Sequence, residues 1–447
     1  MGKNPPMPTD TERARELFFD GVERFERGDV TGAEAAFAAA ATLAPERVSI
    51  LANLGSARLR LGRFEAALEV LERAVALAPG DLDARSHLGA ALAGLGRHAE
   101  ALACHERVLA AEPGRDNDRF RRALSLHALG RHDDALVALE AVLERQPDRA
   151  EAWFRHGQAL QGLERHDESL ASYERALAIE PGLAAAWRNR GGVLRERGDL
   201  AGAAEAFRQA LASGSAPELD AYLLAAVEGA DEQGRPPPPP RAYVESLFDG
   251  YADTFDVHVA GTLRYRGHAT LVEGLGVAPG RYRHALDLGC GTGLCGPLLR
   301  PMAERLGGVD VAAAMLAKAR TLGVYDELVH ADIAEHLQAT QARHDLVVAA
   351  DVFIYVGDLE ATFAGVRRVL DPGGRFCFTA EPGEEGAAGK GGVALTPSLR
   401  YTHSPRYLRE LAARHGFTVE AMVEAPLRED QRVPVPGLYV YLRADVS

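Results

Sequence analysis

Five prolines, Pro45, Pro79, Pro113, Pro147 and Pro181, recur every 34 residues through the first half of this chain. Gly28, Gly62, Gly96, Gly130 and Gly198 keep that spacing or twice it, with Glu164 standing where a glycine is skipped. Ala33, Ala67, Ala101, Ala135 and Ala203 do likewise, with Ser169 in the gap. A period of this length holds two helical stretches of about three turns each. The prolines fall behind a helix, where a missing N–H costs nothing. Gly55 and Ala67 are small where two helices must approach closely. No single unit buries its own apolar stripe, so the units must stack into a curved superhelix. The spacing predicts six units between Ala14 and Pro217. A capping box, Thr9-Asp10-Thr11-Glu12, opens them, residues 1–13 are expected to be unstructured, and Pro217 to Ala230 reads as a terminal capping helix.

Gly, Ala, a bulky residue (Phe37, Leu71, Leu139, Tyr173, Phe207) and Pro at these fixed offsets resemble the tetratricopeptide repeat. The resemblance implies that the first helix of each unit lines a concave face. That places Asn117, Phe120, Phe154, Gln158 and Arg188 in a mixed apolar and polar groove. Such a groove implies capture of a protein or peptide partner; packing on the enzyme half or on a second copy of the chain is the alternative.

Pro236 to Pro240 cannot continue a helix and predict an extended spacer, so residues 218–240 read as cap and linker, and 241–447 as a further domain. A length of 447 residues exceeds one ordinary core. The net charge of −14 argues against a nucleic-acid partner, which needs a basic field. No apolar run is long enough to span a bilayer and the N-terminus lacks the core of a secretion signal, so a cytoplasmic protein is expected. Richness in Ala, Gly and Arg reads as a bacterial coding bias. Cys104, Cys290, Cys295 and Cys377 form no C-x-x-C pair and have no histidine at zinc spacing, so buried thiols rather than a metal site are expected.

Beyond the prolines, short apolar runs alternate with helical ones, the pattern of a mostly parallel sheet covered on both faces. Strands are predicted at 284–289, 306–310, 327–331, 345–350 and 374–380. An antiparallel pair near 417–424 and 437–443 follows, separated by a proline-rich loop. The first strand runs into Asp287-Leu288-Gly289-Cys290-Gly291-Thr292-Gly293. So few side chains in a strand-to-helix turn would let a charged small molecule lie against backbone N–H groups and the start of the next helix. Asp287, Asp310, Asp332 and Asp351 stand at the ends of successive strands. Acids in register around a glycine turn predict a ligand site at the C-terminal edge of the sheet.

The pattern Asp-x-Gly-x-Gly-x-Gly, with acids at the later strand ends, resembles the S-adenosylmethionine-dependent methyltransferases with a Rossmann-like sheet, over residues 241–447. The fold class then reads as an α-solenoid of tetratricopeptide repeats followed by a Rossmann-like class I domain with a mostly parallel seven-stranded sheet. The resemblance implies S-adenosylmethionine as cofactor and assigns roles by position. Asp310, with Val311 adjoining, would accept from both ribose hydroxyls. Asp332 would accept from the adenine amino group, with Ile333 and Met315 as apolar slabs against the ring. Asp287 and the turn Leu288, Gly289, Cys290, Gly291, Thr292 and Gly293 would hold the methionine end, bordered by Asp351. Acidic strand ends suit a cationic cofactor. Gly291 to Gly296 also satisfies G-x-G-x-x-G, the dinucleotide fingerprint, with Asp310 as its ribose acid. Asp287 would repel a pyrophosphate, however, and that reading leaves Asp332 and Asp351 without a role.

Where the acceptor must lose a proton, Asp351, Tyr355, Tyr251 and His403 are the candidate bases at the rim. Tyr251 lies in Phe248–Phe255, which resembles the aromatic lead-in helix of the quinone-methylating branch of the superfamily. The fourth strand continues as Asp351-Val352-Phe353-Ile354-Tyr355 rather than Asn/Asp-Pro-Pro-Tyr, which disfavours nucleic-acid bases and glutamine amides as acceptors. Repeats first and catalytic domain second resembles a bacterial family of tetratricopeptide-containing methyltransferases. That implies methyl transfer to a small-molecule or carrier-bound acceptor, with the repeats recruiting a protein partner. A polypeptide acceptor held in the groove, and a non-catalytic adaptor with a cofactor-binding fold, are the alternatives. The glycine-dense stretch Gly383 to Gly392 is expected to act as a lid.

Overall fold

The computed structural model describes residues 9–229, 236–276, 281–383, 392–430 and 433–446. The chain forms two compact units, one up to Val193 and one from Leu194 on. In the first, helices follow one another in pairs: Asp10–Glu26 with Val30–Leu43, Val48–Arg60 with Phe64–Leu77, and Leu82–Gly94 with His98–Ala111. Asp116–Ala128 with His132–Leu143 and Ala150–Gly162 with His166–Ile179 continue the series. The helix Ala184–Glu196, first of a sixth pair with Leu200–Ala212, carries the chain across the division.

The first helix starts at Asp10, inside the stretch 1–13 expected to be unstructured, because the capping box closes in both directions. Thr9 Oγ1 accepts from the Glu12 N–H at 3.3 Å, and Glu12 Oε2 accepts from the Thr9 N–H at 2.8 Å. Within a pair, the bulky slot of the second helix packs onto a glycine of the first. A Cβ on Gly21 would lie 2.6 Å from the Phe37 ring, on Gly55 2.4 Å from Leu71, and on Gly157 2.5 Å from Tyr173. His105 fills the same slot against Gly89, an occupant that the pattern of bulky residues passes over. It is fully buried, with Nδ1 2.9 Å from Asp118 Oδ1.

Phe120 and Phe154, expected to line an open groove, are 4% and 6% exposed and belong to the interior of this unit. Their apolar area is spent between helices, and Arg149 covers the Phe120 ring at 3.9 Å. Asn117 and Gln158 accept hydrogen bonds from Arg149 and Arg155. The proline carbonyls acquire a repeated use: Arg85 donates to Pro79 O at 2.6 Å, Trp153 to Pro147 O at 2.8 Å and Trp187 to Pro181 O at 2.9 Å. Gly28, Gly62, Gly96 and Gly130 hold φ between 69° and 84° at the turn inside each pair, and Glu164 is forced to 58° at the same place. A residue with a Cβ there costs about 1 kcal/mol against glycine. Glu164→Gly is therefore expected to raise stability by roughly 0.5–1 kcal/mol, seen as a higher urea midpoint at unchanged slope.

In the second unit the helices Pro217–Glu228 and Arg241–Val257 precede the sheet, and the latter runs on into a π turn, His258–Thr262. Pro240 serves as its N-cap, so the proline run enters that helix without a break. The strands are β1 (Tyr282–Leu288), β2 (Ala303–Asp310), β3 (Glu327–His330), β4 (His344–Ala349) and β5 (Leu370–Pro382). They are followed by β6 (Val393–Leu395), β7 (Tyr401–His403), β8 (Phe417–Asp430) and β9 (Val433–Ala444). The main sheet has the order β3-β2-β1-β4-β5-β9-β8, parallel up to β5 and antiparallel beyond. The short ribbon of β6 and β7, unforeseen in the sequence, joins the end of β5 where Glu381 pairs with Thr402. Along β5, Phe376 and Phe378 point into one core with Phe353 and Phe363, while Cys377 points into the other with Leu306 and Val348. All four cysteines are buried.

Apart from residues 431 and 432, which lie outside the described residues, the proline-rich connection predicted between the last two strands is itself strand. Pro426 pairs with Pro436, and β8 continues to Asp430. Proline is tolerated there because β8 is an edge strand. Pro434 and Pro436 also lie outside Leu438–Arg443, the stretch of β9 that pairs with β5. The extension carries Leu427 and Arg428 inward, to 1% and 3% exposure.

This unit begins ahead of the prolines at which the sequence suggests a boundary. Arg195 Nη1 donates to Pro397 O at 2.7 Å, the Tyr222 hydroxyl to Leu399 O at 2.9 Å, and the Tyr401 hydroxyl to Pro237 O. Residues 384–391 of the expected lid lie outside the described residues. No helix of the described residues is long and apolar enough to cross a membrane.

Candidate active site

The chain's course across the sheet reverses between β1 and β4, and β1 carries Asp287 to that point, opposite Gly308 of β2 and Val348 of β4. The turn that follows needs glycine for two different reasons. Gly289 has φ 65° and a Cβ on it would lie 2.5 Å from Val352 Cγ2, so backbone and neighbour meet there. Gly291 has φ 54° and a Cβ on it would meet nothing within 4 Å, so it borders open space.

The turn does not offer a rank of N–H donors to an anion. The Gly289 and Cys290 N–H groups donate to Val309 O at 2.8 and 3.0 Å, Gly293 N–H to Cys290 O at 2.8 Å, and Gly291 N–H to Asp310 Oδ2 at 2.8 Å. The next helix, Gly296–Leu299, has four residues and carries little dipole. The expectation of a backbone and helix-end cradle for charge is corrected accordingly: close approach and carboxylates are what this turn supplies. Gly293 and Gly296 serve packing, since a Cβ on either would strike the Tyr325 ring, at 3.1 and 2.7 Å.

Tyr325 donates its hydroxyl to Asp287 Oδ2 at 2.7 Å. Asp287 is 1% exposed, and burial pushes its carboxyl up to about 7; the Tyr325 bond opposes the rise and nearby Asp310 adds to it. Asp310 is also buried and also pushed upward by desolvation, against the N–H groups of Ala312 and Gly291. Its Oδ1 accepts from Ala312 N–H at 2.9 Å. Both Asp310 oxygens are thus already engaged once, and each keeps a second lone pair for a ligand hydroxyl. Asp332 caps the helix Ile333–Ala339 through Oδ1, accepting from the Ala334 and Glu335 N–H groups at 2.8 and 3.1 Å. That leaves Oδ2 as a further acceptor.

These acids border one cavity of about 1340 Å³ within the second unit. Of the residues singled out in the sequence, Asp287, Gly289, Cys290, Gly291, Thr292, Asp310, Val311, Met315, Asp332, Ile333 and Asp351 line it, with Tyr251 and Tyr355. Leu288 and Gly293 do not: Leu288 is a fully buried core residue, and Gly293 faces Leu322 and Tyr325. The lead-in helix Arg241–Val257 borders the cavity and is tied down by Arg241, paired with Glu335 at 3.0 Å, and by two acids. Thr292 Oγ1 donates to Asp256 at 2.6 Å, and the Ala314 N–H donates to Asp249 at 2.9 Å.

The four candidate bases fare differently. His403 is fully buried on β7 and does not reach the cavity; its Nε2 lies 2.9 Å from Gly357 O, and burial pushes it down to about 4. Asp351, at φ 59°, is held by Thr379, whose Oγ1 accepts its N–H at 2.7 Å, and is paired with Arg428 at 3.2 Å. Burial raises the hydroxyls of Tyr355 and Tyr251 above the ordinary tyrosine value. Tyr251 is hydrogen-bonded to His258 Nδ1, on the π turn.

Sequence reasoning missed Arg428, Tyr325, Arg400 and Asp256. Arg428 sat in what read as a loop, and nothing local marks Tyr325 as the partner of an acid 38 positions earlier. The cavity thus joins an open glycine turn to two buried carboxylates, Asp287 and Asp310, that burial raises in pKa.

Residues 286–378 match the methyltransferase-domain family. Residues 21–81, 58–125, 120–184 and 154–218 match tetratricopeptide-repeat families. A malonyl-[acyl-carrier protein] O-methyltransferase from Geobacter sulfurreducens is 34% identical over 31% of this chain and 52% of its own. A trans-aconitate 2-methyltransferase from Paracidovorax citrulli is 38% identical over 29% and 45%. A biotin biosynthesis bifunctional protein from Bordetella avium is 32% identical over 31% and 30%. The chain spans about half or less of the length of these relatives. The methyltransferase-domain match at residues 286–378 falls on the sheet whose strand order and acidic strand ends have just been described, so the chain carries tetratricopeptide repeats followed by an S-adenosylmethionine-dependent methyltransferase domain of class I.

Proposed function

We propose that this protein transfers a methyl group from S-adenosylmethionine to a small-molecule or carrier-bound acceptor, and that its repeats recruit a protein partner in a cytoplasmic setting. The observation that carries the reading is the convergence of Asp287, Asp310 and Asp332 on one cavity beside an open glycine turn. When bound, the cofactor supplies an electrophilic methyl group on a sulfonium. Asp310 receives the ribose hydroxyls, Asp332 the adenine amino group between Ile333 and Met315, and Asp287 faces the cationic end. The lead-in helix excludes water, with Phe248 against Tyr355 edge to face at 5.1 Å. Displacement at a methyl carbon asks the protein chiefly to align donor and acceptor. The acceptors that the relatives are named for, a malonyl carrier protein and trans-aconitate, support a carrier-bound or small acceptor.

Titration calorimetry of the full chain with S-adenosylmethionine tests the reading, and its pH dependence tests the role of Asp287. A carboxyl raised to about 7 must lose its proton to face a cation. Affinity is expected to climb by up to about tenfold per unit as pH rises toward 7, then to level off. A flat profile would remove Asp287 from the cationic end, and no heat of binding at any pH would overturn the reading. A methyl-release assay on candidate acceptors follows; binding with no turnover would favour the adaptor.

A further inference from the structure

Four arginines border the cavity: Arg195, Arg241, Arg400 and Arg428. Three are committed elsewhere. Arg241 pairs with Glu245 at 2.7 Å and Glu335 at 3.0 Å, Arg428 with Asp351 and Glu381, and Arg195 donates to Pro397 O. Arg400, half-buried, makes no ion pair among the described residues. Its charge is felt in the cavity by the Tyr355 and Tyr251 hydroxyls and by the Asp351 carboxylate, which is already paired with Arg428. A half-buried guanidinium with no carboxylate in direct contact carries a desolvation cost that an arriving anion removes.

The turn that carries Arg400, between β6 and β7, is built to hold still. Thr396 N–H and Oγ1 both donate to Arg400 O, at 2.9 and 3.0 Å, and Leu399 takes φ 62°. Two side chains from the helical segment ahead of the prolines pin its carbonyls: Arg195 at Pro397 and Tyr222 at Leu399. Carboxylates gather at the glycine turn, and on the side of Tyr355 and Tyr251 a braced cation stands near an Asp351 that Arg428 already holds.

Resting on the methyltransferase reading above, we propose that Arg400 selects the acceptor by gripping a carboxylate, that this carboxylate is methylated on oxygen, and that Arg195 and Tyr222 are its positioning residues. The planar fork of a guanidinium matches a carboxylate and leaves it the lone pairs it needs to react. An acceptor oxygen forms the new O–C bond as the C–S bond breaks; the electron pair stays on sulfur, and the charges of carboxylate and sulfonium cancel. No proton moves, so no base is required. That agrees with an Asp351 tied to Arg428, tyrosines whose hydroxyls are raised, and a His403 outside the cavity.

The test uses the full chain and two readouts. S-adenosylmethionine affinity is measured first, for wild type, Arg400→Met, Arg400→Lys and Tyr222→Phe; all four are expected to agree, and a wild type that fails to bind would overturn the methyltransferase reading itself. Protein loaded with S-adenosylhomocysteine is then titrated with short aliphatic dicarboxylates, the matching diamides and a phosphate monoester. Turnover is followed with the same compounds, and the product is treated with alkali. The proposal expects binding of a dicarboxylate and not of its diamide, and an alkali-labile methyl ester. Arg400→Met should weaken that binding about thirtyfold, with partial recovery in Arg400→Lys. Tyr222→Phe should raise KM several-fold at unchanged kcat. Equal dicarboxylate binding by wild type and Arg400→Met, preference for the phosphate monoester or the diamide, no binding of any of these compounds, or an alkali-stable methyl group would each overturn it.

Discussion

Replacing Arg428 with alanine is expected to lower the unfolding free energy by about 3–5 kcal/mol, the cost of leaving buried charge without its partner. The guanidinium is 3% exposed and holds two acids at once, Asp351 at 3.2 Å and Glu381 through its other terminal nitrogen. Removing it leaves both carboxylates facing a space shaped for a cation. Acidification should narrow the gap between variant and wild type. Burial already holds the Asp351 carboxyl above its ordinary value with Arg428 present, and without it the folded value rises further above the unfolded one. A group of that kind favours the folded state as pH falls through its raised value, so the variant regains stability in acid. Urea unfolding at about pH 7.5 and about pH 5.5 reads both effects. Arg428→Met combined with Asp351→Asn and Glu381→Gln should recover much of the loss, because no buried charge is then stranded. An unchanged midpoint for the single variant would mean that solvent already reaches this cluster.

Asp310→Ala is expected to weaken S-adenosylmethionine binding by about 3 kcal/mol, roughly a hundredfold, through loss of a buried carboxylate that we propose serves two ligand hydroxyls. Part of the effect is internal. Asp310 also holds the Gly291 N–H at 2.8 Å and the Ala312 N–H at 2.9 Å, so it shapes the turn that borders the cavity. Asp310→Asn keeps an acceptor for one of those N–H groups and should preserve more of the melting temperature than of the affinity. Calorimetry and a thermal melt on both variants separate the two roles. Undiminished affinity in Asp310→Ala would remove this residue from the cofactor site.

The repeats could be read from single residues because each mark has a local cause. A proline cannot sit inside a helix, and a left-handed turn selects glycine so strongly that Glu164 stands out by taking φ 58° where its equivalents are glycines. The acids at the strand ends were legible for the same reason: each directly follows an apolar run and needs no distant partner to be noticed. Asp287, Asp310, Asp332 and Asp351 meet around one cavity as their positions suggest. What each acid does there was less legible. Asp351 could be read as a base only while its ion pair with Arg428 was unseen, and His403 only while its burial on β7 was unseen. Likewise, Phe120 and Phe154 look like groove residues by repeat position and prove to be interior by packing.

Order along the chain was enough to determine the two architectures, their succession and the acidic edge of the sheet, since helix period, strand alternation and turn chemistry act over a few neighbours. Tertiary structure alone decided that Arg428 comes in from an edge strand running through prolines, that Tyr325 reaches Asp287, and that Arg195 and Tyr222 brace the turn of Arg400. The physical reason is range. Burial, and with it the strength of a charge pair or a hydrogen bond, depends on which distant segments pack together, and no local pattern of residues encodes that.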